Sequence, residues 1–148
     1  MKSQGEIEAA VCEAMSRFQQ ESIGRGPKDI HCHLLGTLLV VRLHGVLTPA
    51  ERQLLDDGFP ASHNGDGATD GEQDRTPRPT NGNGRSLVKQ MRHHVVANGR
   101  GRLGRIVEEA VGVRLVSVHH DISTVTGEEL LVFSLSDAPE CRPPKKRG

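Results

Sequence analysis

The chain reads as an α+β fold: two αββ units that together give a four-stranded antiparallel sheet, with helices packed on one face. Three observations predict it. A helical stretch leads twice into a hairpin of alternating strands, within residues 26–44 and again within 112–136. One such unit leaves its sheet half covered and buries its apolar face poorly, whereas two cover each other. Apolar residues make up 34% and aromatic residues 2%, with neither Trp nor Tyr, so the expected core is a modest aliphatic one of Leu, Val and Ile.

The first unit, residues 1–56, opens on Ser3-Gln4-Gly5-Glu6, a capping-box pattern. Ile7, Ala10, Val11, Ala14, Met15 and Phe18 follow at the spacing of one helical face. Gly24-Arg25-Gly26-Pro27 ends that helix, because Gly suits the C-cap and Pro cannot continue it. In the first strand Ile30, Cys32 and Leu34 share a face and His31 and His33 the other; in its partner Leu39, Val41 and Leu43 oppose Val40, Arg42 and His44. Thr48-Pro49-Ala50-Glu51 starts a short helix that ends near Leu55 or Asp56.

Residues 57–85 shift abruptly to Gly, Asp, Asn and Pro. With Phe59 as the one large apolar residue, this stretch buries too little surface to offset its ordering entropy, and a disordered insert is expected. Its acidic residues do not follow the calcium-loop spacing. The second unit, residues 86–137, begins with a helix near Ser86 whose stripe is Leu87, Met91, Val95, Leu103, Ile106 and Ala110, helped by Val88 and Val107. Gly99, Gly101 and Gly104 weaken its middle and predict a kink or fraying. In the second hairpin Val116, Val118 and Ile122 oppose Ser117, His119 and Asp121, and Leu131, Phe133 and Leu135 oppose Val132, Ser134 and Ser136. Residues 138–148 read as a flexible basic tail, the whole being one domain.

Charge and composition exclude several function classes. Nineteen basic residues balance nineteen acidic ones, which removes any general electrostatic drive toward nucleic acid or anionic membrane. Three scattered cysteines, Cys12, Cys32 and Cys141, form no disulfide framework and fit a reducing cytoplasm. The opening residues lack the apolar core of a signal peptide, and the longest apolar run, Leu38 to Val41, is far too short to span a bilayer. A cytoplasmic protein with no direct membrane insertion and no nucleic-acid partner is expected.

No constellation of residues points to catalysis. Asn98-Gly99-Arg100-Gly101-Arg102-Leu103-Gly104 contains a literal GxGxxG, but the dinucleotide fingerprint needs a strand before it, and here a helical pattern precedes it. Ser123 near His120 and Asp121 is too local for a triad. Cys32 falls on an apolar strand face and reads as a packed thiol. Glu128-Glu129 reads as surface charge, and His93-His94 cannot direct both rings to one ion. The candidates for binding a ligand or partner are Arg25, held in the Gly/Pro turn, and Arg42, His31, His33, His44, His119 and Asp121, on the polar face of the sheet. No metal, cofactor or catalytic residue is assigned, and the protein is not expected to be an enzyme.

Gly24-Arg25-Gly26-Pro27, residues 41–51 (VRLHGVLTPAE) and residues 116–128 (VSVHHDISTVTGE) together resemble a family of small bacterial proteins named for MpsC, a component of a sodium-linked, membrane-potential-generating system associated with inorganic-carbon uptake. The likeness covers about residues 3–56 and 86–137. This chain departs from the family pattern at Gly99 to Gly104 and in the insert after Asp57. The resemblance implies an accessory role beside a membrane system, by genomic neighbourhood, and supplies no catalytic residues. The expected function is therefore that of a non-enzymatic accessory or regulatory protein acting through protein contacts, a membrane transport system or a second copy being the partner. The alternative is a small-anion or metal-binding sensor that uses the polar sheet face.

Overall fold

In the computed structural model, which describes residues 2–57 and 82–143, capping chemistry sets the first helix. The Ser3 hydroxyl accepts a hydrogen bond from the Glu6 amide at 3.2 Å, and α1 runs over Gln4–Ile23. Gly24 then adopts a left-handed conformation, φ 90°, that a residue with a Cβ would resist, and its N–H closes onto Gln20 O. The face carrying Ile7, Val11, Met15 and Phe18 is buried.

Strands β1 (Asp29–Leu35) and β2 (Leu38–His44) pair as a hairpin through Gly36 and Thr37. The short helix α2 (Pro49–Asp57) follows. Beyond the undescribed segment come α3 (Gly82–Asn98), α4 (Arg100–Val111), β3 (Leu115–Ile122) and β4 (Glu129–Leu135). All pairings are antiparallel, in the order β1-β2-β4-β3, so the two hairpins join through β2 and β4, with Val40 opposite Val132. This is the expected α+β architecture. Helix α1 packs on β1 and on α4, α3 and α4 pack on β3, and α2 packs on α3. The sheet face beneath them is lined by Leu34, Leu39, Val41, Leu43, Leu131 and Phe133, all buried.

The structure differs from expectation in four places. The stripe of α3 is turned by one residue: Val88, Arg92 and Val96 are buried, whereas Leu87 and Met91 are each 43% exposed. A stripe drawn through apolar residues alone misses a buried cation, and Arg92 is paired on every side. Helix α3 begins at Gly82, four residues before Ser86, and stops at Asn98. Gly99 separates it from α4, within the stretch where a kink or fraying was expected, and a Cβ there would lie 2.6 Å from the Phe18 ring, so Gly suits this close approach to α1. In β3 a bulge between Leu115 and Ser117 leaves Val116 59% exposed, off the apolar face assigned to it. The start of the tail is tied down: Arg142 N–H donates to Lys2 O, its guanidinium reaches Glu6 at 2.8 Å, and Pro139 is buried. Of the expected disordered insert, residues 58–81 lie outside the described residues, as do 144–148 of the tail.

Candidate functional site

The helix-free face of the sheet carries most of the sequence-derived candidates. Read across the strands, one row is His31, Arg42, Leu130 and Asp121; the next is His33, Val40, Val132 and His119. The row beyond begins with Leu35 and Leu38, which are 61% and 40% exposed. The centre of this face is thus apolar, and its borders carry imidazoles and charge.

The structure brings together three of the candidates. The Arg42 guanidinium donates to Glu128 Oε2 at 2.7 and 3.2 Å, and His44 Nε2 lies 2.9 Å from the same oxygen. The Arg42 hydrogen bonds, helped by His44, hold the Glu128 carboxyl below its ordinary range. The His31 ring meets His44 edge-on, 6.4 Å between centroids. The others stand apart. His33 and His119 are separated by three strand spacings, about 14 Å. Asp121 turns around the sheet edge to Lys89 Nζ at 2.9 Å, and this hydrogen bond lowers its pKa. Arg25 donates to Leu47 O at 3.2 Å and joins none of the others.

The helix-covered side holds a second cluster, which sequence reasoning missed. Glu51 is the third residue of α2, where its carboxylate accepts the Thr48 amide at 2.8 Å while the Thr48 hydroxyl accepts the Glu51 amide at 3.1 Å. The same carboxylate takes a bidentate pair from Arg92, at 2.6 and 2.8 Å. Arg92 also donates to Val46 O at 2.7 Å and reaches Gln19 Oε1 and Glu129 Oε1 at 3.3 and 3.4 Å. Gln19 Nε2 bridges to Glu129 Oε1 at 2.8 Å, and His120 Nε2 meets Glu129 Oε2 at 2.7 Å. Arg92, Glu51, Glu129 and Gln19 are each at most 3% exposed.

This cluster ties α1, α2, α3, β3 and β4 together. Burial pushes the Glu51 carboxyl up, but the Arg92 and Thr48 hydrogen bonds outweigh it and hold the group below its ordinary 4.5. Burial likewise opposes the charge on Arg92, and the Glu51 hydrogen bonds with the charges of Glu129 and Glu51 raise its pKa in spite of that. Among the described residues no buried side-chain nitrogen or oxygen lacks a partner. Glu128 and Glu129, read as a surface pair, in fact point to opposite sides of the sheet: Glu128 meets Arg42 and His44 on the open face, and Glu129 enters the buried cluster.

His120 also faces outward from this cluster. Its Nδ1 lies 3.4 Å from Nδ1 of His93. The two rings border a cleft of about 240 Å³ between α3 and β3, lined also by Val96, Ala97, Arg100 and Val118.

The remaining motifs resolve into structure. Ser123 Oγ accepts the Val125 and Thr126 amides and so builds the β3–β4 turn, while His120 and Asp121 diverge to opposite faces. The GxGxxG run opens α4 but follows a helix; Arg102 pairs with Glu21 and stacks over the Phe18 ring, 5.5 Å from its centroid. Burial pushes the Cys32 thiol up to about 12, which makes it a packed, unreactive group. Among the described residues no helix is long and apolar enough to cross a membrane.

Comparison with known proteins agrees with the sequence resemblance. The chain is 28% identical over 134 residues to the uncharacterized protein YbcI of Bacillus subtilis strain 168, covering 90% of this chain and 89% of that protein. No solved structure matches it significantly. Residues 3–59 and 79–137 match the family described as Na+-translocating membrane potential-generating system (MpsC), and the chain belongs to that family.

Proposed function

We propose that this protein is a non-enzymatic, cytoplasmic accessory or regulatory component. It acts through protein contacts, beside a membrane ion or inorganic-carbon uptake system of the kind its family description names. The observation that carries this reading is the open sheet face. Its centre, Val40, Leu130 and Val132 with Leu35 and Leu38 beyond, is apolar and not covered by any described element, and its borders are charged. An apolar centre with a polar rim is the anatomy of a protein interface. The alternative, an anion or metal sensor on the same face, has less support: Arg42 and His44 already engage Glu128.

The test is association by the tag-free protein, through light scattering and through crosslinked pull-down from its own host. The wild type is expected to self-associate or to retain a protein of the membrane system. Val132→Lys, which places a charge at the centre of the face, is expected to abolish the association while leaving the fold intact. Monomeric wild type that retains nothing, or a Val132→Lys variant that associates normally, contradicts the reading.

A further inference from the structure

We propose that His93 and His120 form a two-histidine site for a borderline transition-metal dication of the zinc class, in the cleft between α3 and β3. The site is independent of the open sheet face. Three observations support it.

The first is the separation of the rings. The two Nδ1 atoms face each other at 3.4 Å, with the rings at 85° and their centroids 4.8 Å apart. That separation is at the long, weak end for a hydrogen bond between two imidazole nitrogens. It matches two nitrogens that each lie ~2.0–2.1 Å from one tetrahedral ion and therefore about 3.4 Å from each other.

The second is the carboxylate behind His120. Its Nε2 is 2.7 Å from Glu129 Oε2. With Nε2–H donating to that carboxylate, the neutral ring presents its Nδ1 lone pair to His93. A metal-ligating imidazole commonly donates its other N–H to a carboxylate, a backbone carbonyl or water, which fixes the ring and raises its basicity.

The third is the local charge. Two buried carboxylates, Glu51 and Glu129, face a single buried guanidinium, Arg92. A cation held on His120 meets an excess of negative charge just behind it. Imidazole ligands suit zinc, copper and nickel rather than calcium or magnesium.

Among the described residues no group of three or more His, Cys, Asp or Glu side chains is arranged to hold a metal ion, so the site proposed has two protein ligands. The cleft has room for waters to complete the coordination. Arg100 on the cleft wall opposes a bare dication and favours an anion as a further ligand. Such a site is open and exchangeable, unlike a closed structural one.

The test is zinc titration of the tag-free full chain in competition with a chromophoric chelator, with cobalt as a spectroscopic stand-in. The wild type is expected to take one zinc per chain. His93→Ala, a substitution on an exposed position that leaves the core intact, is expected to weaken uptake at least ~10-fold and to remove the cobalt ligand-field bands. Glu129→Gln is expected to weaken it about 10–100-fold as a supporting residue. A His31→Ala/His33→Ala double variant is expected to bind as the wild type does. No uptake by the wild type at millimolar zinc, full uptake by His93→Ala, or uptake lost only with His31 and His33 overturns the proposal.

Discussion

Arg92 carries the largest consequence at the scale of single residues. Truncating it leaves Glu51 and Glu129 buried at 3% and 1% exposure without their guanidinium. Removing one partner of a buried pair costs about 3–5 kcal/mol, because the other charge is left uncompensated. Arg92→Ala is therefore expected to lower the unfolding free energy by that amount in urea titrations, where an exposed Arg→Ala would cost little. The same cluster gives an acid limit to stability. Glu51 is held below its ordinary 4.5 in the folded state, so in acid the unfolded state binds more protons. Its contribution is full above about pH 4.5 and is lost as pH falls through the lower folded value. The urea midpoint should drop there in the wild type, and the drop should be smaller in Glu51→Gln. Parts of this cluster were legible in the sequence. Glu129 lies in period-two register with Leu131, Phe133 and Leu135, and His120 with Val118 and Ile122, so the alternation points both inward although Glu129 was read as surface charge. Arg92 follows Val88 and precedes Val96 at four-residue spacing. What hid it is the usual assignment of cations to solvent, which fails when a capping glutamate supplies the counter-charge.

The caps and turns of the elements were written in local residues, and they form as local chemistry dictates: Ser3 and Glu6, Thr48 and Glu51, and Gly24 and Gly112 at the two C-caps. The break between α3 and α4 is a different matter, because it depends on what lies opposite. Gly99 and Gly101 are equivalent by helix propensity and differ by contact. Gly99→Ala drives a methyl into the Phe18 ring, and overpacking of this kind costs about 1–3 kcal/mol. At Gly101 a Cβ meets nothing within 4 Å, and Gly101→Ala is expected to stabilise by about 0.5–1 kcal/mol. Thermal unfolding of the two variants should therefore move in opposite directions. The bulge at Val116 left no such mark, since the alternation continues through it in the sequence.

The strand order β1-β2-β4-β3 sets the character of the whole molecule. It places the strands that are apolar on both sides, with Val40 on β2 and Leu130 and Val132 on β4, at the centre. The edge strands turn His31, His33, Ser117, His119 and Asp121 outward. The two hairpins were legible from alternation, but their joining through β2 and β4 was not read from the sequence; the difference in apolar density fits that order once it is known. Outward-facing histidines marked the face, yet the proposed protein-contact role rests on four intervening apolar side chains, Leu38, Val40, Leu130 and Val132. Site-specific photo-crosslinking in the host tests this most directly, with the crosslinker placed at Leu38 on the open face or at Arg105, exposed on α4. The account predicts a discrete protein adduct from position 38 and none from position 105. Adducts from position 105 alone, or none from position 38, would contradict it.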